Sequence, residues 1–413
     1  MFEEFLFNLC HWCFDYREYK KQYFLISLLM ERHIERKAFN LLELARFKEW
    51  VADFFGGGKV PEFTAKGVLR DFYHYYKPKW NVQEVRTSGN SGKPFRFWVD
   101  CDTLANRFAL VDYRFKQIGY ERGQSFVKFW YPTTGHGSTQ LIKERLWRKI
   151  NGEHFISYFD MVSGKKKMID YVNFIKKHKP VLIEGYAGGL VALSNYILEN
   201  RIRMPKVKYI VTGAGMVTPE QHNLIETAFN GKHYDRYGSS EFGEIAHQLP
   251  GISYYDPNPF LEIFVKTEGE PLLKLDQAKD GDYEIFITDP RNYATPFWRY
   301  KIGDVVSVKD GKIISIKGRT EEVVRLPNGE YLPTGFFYQF FKDSKNVNQW
   351  QIVYNPKKKR MLVRVSPRIL EDELKKKFKD KYFKDVSIEY KLGNFEDFET
   401  VGSRKKIKEI IIE

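Results

Sequence analysis

The stretch 87-TSGNSGKP-94 gathers hydroxyls, two glycines and a lysine, a set suited to holding phosphate. Glycines let successive backbone N–H groups converge on an anion, and Thr87, Ser88 and Ser91 add hydroxyl donors. A Walker loop needs four residues between its glycines and a Ser or Thr after its lysine. Here only Asn90 and Ser91 separate Gly89 from Gly92, and Pro94 follows Lys93. A dinucleotide fingerprint needs G-x-G-x-x-G, and 213-GAGMVT-218 supplies only the first two glycines. Taken alone, the loop reads equally well as a polar turn.

Three later stretches carry further chemistry. In 237-YGSSEFGEIA-246 the carboxylate of Glu241 falls in a glycine-flanked turn beside the hydroxyls of Ser239 and Ser240. In 299-RYKIGDVV-306 Asp304 follows Gly303, and 318-GRTEEVVRLPNGEYLP-333 brings Arg319 and Glu321. Two other patterns favour structural readings. Cys10-His11-Trp12-Cys13 has the spacing of half a zinc site with no second pair, which favours buried apolar cysteines over metal binding. The lone histidine of 135-GHGS-138 reads as part of a turn.

In this order the four stretches resemble the core motifs of the adenylate-forming enzymes, the superfamily of acyl-CoA synthetases, luciferases and peptide-synthetase adenylation domains. Within it, 213-GAGMVTPEQHNLIE-226, 234-YDRYGSSEFGEIA-246 and 289-DPRNYATPFWRYKIGD-304 look most like the phenylacetate–CoA ligase group, which includes relatives associated with capsular polysaccharide synthesis. The resemblance covers about residues 60–413. It implies ATP-dependent activation of a carboxylic acid as an acyl-adenylate, with release of pyrophosphate. Acyl transfer then follows, to coenzyme A by default or to an amine or hydroxyl of a sugar or polysaccharide precursor.

The resemblance also implies roles. Thr87, Ser88, Gly89, Ser91, Gly92 and Lys93 would grip the β- and γ-phosphates. Glu241 would bind Mg²⁺, an ion that takes one or two carboxylates together with phosphate oxygens and water. Ser240 would lie near the α-phosphate. Tyr237 would stack on adenine, with Gly213, Ala214 and Gly215 beside the ring edge and Gly238 and Ser239 completing the nucleotide site. Asp304 would accept from both ribose hydroxyls, and Arg319 would contact ribose or phosphate. Tyr186, Ala187, Gly188 and Phe242 would form the acyl pocket. The catalytic lysine of 402-GSRKKIKEI-410 would be Lys406, with Lys405 its rival, and Glu321 would be the hinge.

These residues need elements to place them. In 181-VLIEGYAGGLVALSNYILEN-200 and 207-VKYIVTGAGMVTPEQHNLIETAFN-230 a short apolar strand passes through glycines into a helix. Thr218 is an N-cap, Pro219 suits the first helical position, and Gln221 completes a capping box. Repeated βα units imply a parallel sheet covered by helices. Short strands follow at 260–265, 283–288, 304–308 and 312–318. The last 95 residues read as an α+β domain: strands at 351–354, 361–365, 386–390 and 407–412, with a helix over 367–382. The expected fold is therefore α/β. A large N-terminal domain (1–318) combines parallel βα units with a β-rich subdomain, and a small, mobile α+β lid domain spans 319–413.

Composition bounds the partners. The net charge is +14, which favours anionic ligands such as nucleotide or coenzyme A. No segment is purely basic, so nucleic acid is not expected; a second copy of the chain remains open as a partner. Three cysteines and the absence of a basic N-terminal leader point to the cytoplasm, and the longest apolar run, 23–30, is too short to span a bilayer. A non-catalytic nucleotide- or polyanion-binding protein, prompted by lysines near 357–360 and 375–377, is the remaining reading.

Overall fold

A computed structural model describes residues 21, 44–52, 60–75, 82–86, 95–130, 148–149, 151–162, 166–319, 323–327, 331–333, 349–366, 386–392, 400–401, 406–407 and 410–412. The 87–93 loop, Cys10, Cys13, the 135–138 turn, the 367–382 helix, Glu321 and Lys405 lie outside the described residues. Among the described residues no helix is long and apolar enough to cross a membrane.

The chain divides into two compact units. One takes Met1–Arg86, Arg96–Glu262 and Ile287–Tyr300; the other takes Thr87–Phe95, Ile263–Phe286 and Lys301–Glu413. Strands of the β-rich segment group with the C-terminal residues in the second of these units.

The first unit begins with α1 (Lys66–Tyr75) and an antiparallel pair, β1 (Val82–Arg86) and β2 (Arg96–Asp100). Asp100 then caps α2 (Cys101–Gln117), accepting from the Thr103 amide at 2.8 Å. A sheet follows, built from β3 (Phe126–Trp130), β4 (Glu153–Ser157), β5 (Leu182–Tyr186), β6 (Tyr209–Gly213), β7 (Lys232–Ser239), β8 (Gly243–Gln248) and β9 (Tyr255–Pro257). Its spatial order is β9-β8-β7-β6-β5-β3-β4. Strands β4, β3, β5, β6 and β7 run parallel; β8 and β9 are antiparallel additions. The helices between them are α3 (Tyr158–Val162), α4 (Met168–His178), α5 (Ala187–Glu199) and α6 (Pro219–Phe229).

Side chains alternate across this sheet, as the strand pleat requires. Val127, Phe129, Ile183 and Ile210 pack against α4, α5 and α6. Phe126, Leu182 and Val211 pack under the end of α2, with Phe115 and Ile118. The expected cap of α6 is present: Thr218 Oγ1 accepts from the Gln221 amide at 3.3 Å, and Gln221 Oε1 accepts from the Thr218 amide at 3.0 Å. The parallel order β4-β3-β5-β6-β7 starts at an inner strand and grows to both sides. It therefore has a topological switch point between β3 and β5, where open α/β sheets bind ligands at their carboxyl ends.

The second unit holds β11 (Leu273–Lys274) and β14 (Lys312–Arg319) and most of β10 (Glu262–Lys266), β12 (Gly281–Thr288) and β13 (Tyr300–Lys309), in the order β11-β10-β12-β13-β14. β15 (Val323–Arg325) and β16 (Tyr331–Pro333) form a hairpin. β17 (Gln349–Asn355), β18 (Arg360–Ser366), β19 (Ser387–Leu392) and β22 (Ile410–Ile412) form a mixed sheet, and β20 (Thr400–Val401) pairs with β21 (Lys406–Ile407). Its core contains Trp350, Ile352, Tyr354, Met361, Val363 and Val365.

Candidate active site

The glycine-flanked turn is the tip of the β7–β8 hairpin. Ser239 pairs with Gly243, and Ser239 Oγ accepts from the Phe242 amide at 3.3 Å, closing the turn. Phe242 anchors it, buried against Phe297 at 5.2 Å and Tyr300 at 6.0 Å between ring centroids. Ser240 is exposed, whereas Glu241 is only 4% exposed.

An arginine that the sequence did not single out holds this tip. Arg107, on α2, donates from Nη2 to the Glu241 carbonyl at 2.5 Å, and its Nη1 lies 3.5 Å from the Ser240 carbonyl. The same Nη2 lies 3.2 Å from Asp289 Oδ2, while Asp289 Oδ1 accepts from the Arg291 amide at 3.3 Å. Gly243 adopts φ +68°, and a Cβ there would stand 2.9 Å from Arg107 Cδ. Glycine is required both for the left-handed turn and for the arginine stem that crosses it.

With its backbone fixed, Glu241 meets the needs of a magnesium ligand. It is buried, and among the described residues its carboxylate has no ion-pair partner. No group of three or more His, Cys, Asp or Glu residues among the described residues could hold a metal. A single protein carboxylate suits Mg²⁺, which draws its other ligands from phosphate and water.

Beside the hairpin, Gly213 ends β6, Ala214 has φ +58°, and a Cβ on Gly215 would come within 3.2 Å of Ala187 Cβ. Ala214, Gly215 and Gly188 are exposed, while Ala187 is buried. Tyr237 is buried on the same strand face as His233 and Asp235, and a bulge follows it before Gly238. On that face Thr212 Oγ1 donates to Asp235 Oδ1 at 2.7 Å, and Tyr255 donates to Asp235 Oδ2 at 2.6 Å. Burial raises the Asp235 pKa, and these two hydroxyl donors oppose the rise.

At the switch point, Trp130 at the end of β3 packs 4.4 Å from Tyr186 at the end of β5, and Tyr186 stacks on Tyr158 at 4.9 Å. Tyr186 thus belongs to an aromatic wall that composition alone could not locate. Under it lies a charge cluster, also not singled out in the sequence. Glu184 is almost fully buried on β5; its Oε1 lies 2.5 Å from Arg236 Nη2, and its Oε2 lies 3.5 Å from Lys128 Nζ. Burial alone would raise the Glu184 pKa, but Arg236 and Lys128 hold it below the usual value. Buried Arg114 is clamped between Glu244 at 3.2 Å and Asp256 at 2.6 Å.

In the second unit, Asp304 and Arg319 are register partners of the β13–β14 hairpin, with Asp304 Oδ1 3.0 Å from Arg319 Nε. Arg319 also donates from Nη1 to the Ile302 carbonyl at 2.7 Å. Lys406 lies on β21, paired with Val401 of β20.

No family model matches the chain. It is 26% identical over 286 residues to Protein CapK of Staphylococcus aureus, a match covering 65% of this chain and 60% of CapK, less than two thirds of that relative's length. Among solved structures, 2-hydroxyisobutyryl-CoA ligase in its postadenylation state with 2-HIB-AMP superposes with a TM-score of 0.64 at 13% identity, covering 92% of this chain and 90% of that one. The amide bond synthetase McbA from Marinactinospora thermotolerans gives 0.52 at 12% identity, covering 77% and 66%. The chain has the fold of the adenylate-forming ligases, as its motif order led one to expect.

Proposed function

We propose that this chain is an adenylate-forming acid ligase. A carboxylate oxygen attacks the α-phosphorus of ATP, the bond to the β-phosphate oxygen breaks, and acyl-AMP and pyrophosphate result. An acceptor then attacks the acyl carbon and AMP leaves; with coenzyme A the thiol loses its proton and a thioester forms. The observation that carries this reading is Glu241: a buried carboxylate without an ion-pair partner among the described residues, its backbone held by Arg107, at the tip of the β7–β8 hairpin of this fold.

Both reactants are anions, so the site must neutralise charge and align an oxygen with phosphorus. Mg²⁺ held by Glu241 and the phosphates would supply charge neutralisation. Ser240, exposed beside it, offers its hydroxyl near the α-phosphate. Gly213, Ala214, Gly215 and Tyr237 receive adenine, and Gly238 and Ser239 shape the strand beneath it. Asp304 and Arg319 address the ribose, and Thr87, Ser88, Gly89, Ser91, Gly92 and Lys93 the pyrophosphate. Lys406, or its neighbour Lys405, bridges carboxylate and phosphate, and Glu321 is the pivot between half-reactions. Tyr186 and Gly188 bound the acyl side, and Ala187 and Phe242, both buried, support it from within the fold.

ATP–pyrophosphate exchange that requires both an acid and Mg²⁺ tests the proposal. A broad acid panel without exchange would overturn it. An amine or sugar hydroxyl as acceptor is the second reading, supported by the fold shared with an amide bond synthetase. The product mass with and without coenzyme A separates the two.

A further inference from the structure

We propose that the acyl pocket carries an anion subsite, formed by Arg236 and Lys128, that selects acids bearing a second anionic group. The inference rests on the ligase reading for the identity of the pocket. The subsite itself rests on geometry at the switch point.

Arg236 lies on β7, yet its guanidinium reaches Glu184 on β5, two strands away. It crosses β6 at Gly213, which has no side chain: a Cβ there would stand 3.8 Å from Arg236 Nε and 3.6 Å from Trp130 Cη2. The guanidinium thus arrives beneath the aromatic wall, with its Cζ 5.8 Å from the Trp130 ring centroid. Lys128 approaches the same carboxylate from β3, where it is the register partner of Glu184.

Charge counting decides what this arrangement is for. Arg236, Lys128 and Glu184 sum to one positive charge. The neighbouring Arg114, Glu244 and Asp256 sum to one negative charge, and buried Asp235 is a further carboxylate within reach of Arg236. The two cations stand at the end towards Trp130: Arg236 lies against its ring, and Lys128 precedes it by two residues on β3. A purely structural ion pair needs one cation for Glu184. The second cation, Lys128, keeps 34% of its side chain exposed, and Arg236 keeps 16%. A guanidinium has five donors in a planar fork, and one contact to Glu184 leaves others to take a planar carboxylate or a phosphate. The ring wall above would hold the apolar body of the acid, with the reacting carboxylate at one end and the second anion at the other.

The test uses the full chain with terephthalate and its monomethyl ester, which share a ring and one carboxylate and differ in the second charge and the methyl group that masks it. Calorimetry reads binding, and pyrophosphate exchange reads activation. The expected result is a preference of about ten- to hundredfold for the diacid, the worth of one charge-assisted hydrogen bond. In Lys128→Gln that preference should shrink about tenfold through KM for the acid, with KM for ATP unchanged. Diacid preference in binding supports the subsite even where neither compound supports exchange, whereas the ligase reading falls only if the broad acid panel also fails. Exchange with equal efficiency for ester and diacid, an unchanged ratio in Lys128→Gln, or no binding of either compound overturns the subsite.

Discussion

Asp304 and Arg319 face each other across the β13–β14 hairpin, with Oδ1 of the acid 3.0 Å from Nε of the arginine. The acid is largely enclosed and the arginine is 41% exposed. An ion pair this wet contributes about 0–1 kcal/mol to stability. Its geometry matters more, because the arginine engages Oδ1 and so orients the carboxylate. Arg319→Ala is therefore expected to leave thermal stability nearly unchanged while raising KM for ATP severalfold. Asp304→Asn should raise that KM further, by about tenfold, the worth of a charge-assisted hydrogen bond. Steady-state exchange kinetics at varied ATP check both; unchanged KM values would remove this pair from the nucleotide site.

Glu241 and Arg107 should separate by substitution. Glu241→Gln keeps the shape of the hairpin and removes its negative charge. Exchange should fall by about 10²–10³, the scale of a lost transition-state electrostatic contact, with the circular dichroism spectrum preserved. Arg107→Ala instead strands the buried Asp289 carboxylate and two carbonyls, so it should cost about 3 kcal/mol of stability. Urea midpoints distinguish the two effects.

Lys406→Ala should depress adenylation by about 10²–10³ by the same electrostatic argument. Thioester formation from preformed acyl-AMP should be much less affected, since the proposed bridge acts in the first half-reaction. Near-normal exchange in this variant, with loss in Lys405→Ala, would assign the role to Lys405.

Acid stability reports on the buried histidines. Thr212 Oγ1 gives its proton to Asp235, so it accepts from His233 Nε2 at 2.8 Å. His233 Nδ1 then accepts from His222 Nδ1–H at 2.6 Å, and a proton on His233 Nδ1 would place donor against donor. Burial, reinforced by His222, lowers the His233 pKa from 6.5 to about 3. Burial lowers that of His247 to about 3 as well. Unfolding frees both to bind protons at the ordinary value. Their contribution to stability is therefore full above pH 6.5 and declines as pH falls toward 3. At pH 5 each should have lost about 2 kcal/mol. The thermal midpoint should drop between pH 7.5 and 5, before most carboxylates titrate, and a flat profile would contradict the buried neutral state.

The parallel βα units were legible because their signals are local. Thr218, Pro219 and Gln221 start a helix by bonds that span three residues, and that helix begins where expected. The β7–β8 turn was legible for the same reason, since its glycines and carboxylate are neighbours in the chain. Arg107 was not: it lies on an ordinary amphipathic helix, 134 residues from the carbonyl it holds. Glu184, Arg236 and Lys128 were equally hidden, as single charges within three strands.

The sequence by itself determined the order of the motifs, the strand-then-helix rhythm and the glycine-flanked turn that carries Ser240 and Glu241. These follow from short-range rules of capping, pleat and glycine geometry. Only the tertiary structure decided which residues hold that turn, where the aromatic wall stands, and which end of the charge cluster lies beneath it. Charges and rings far apart in the chain interact only once strand order fixes their spacing, and the order β4-β3-β5-β6-β7 is set by packing across the whole sheet.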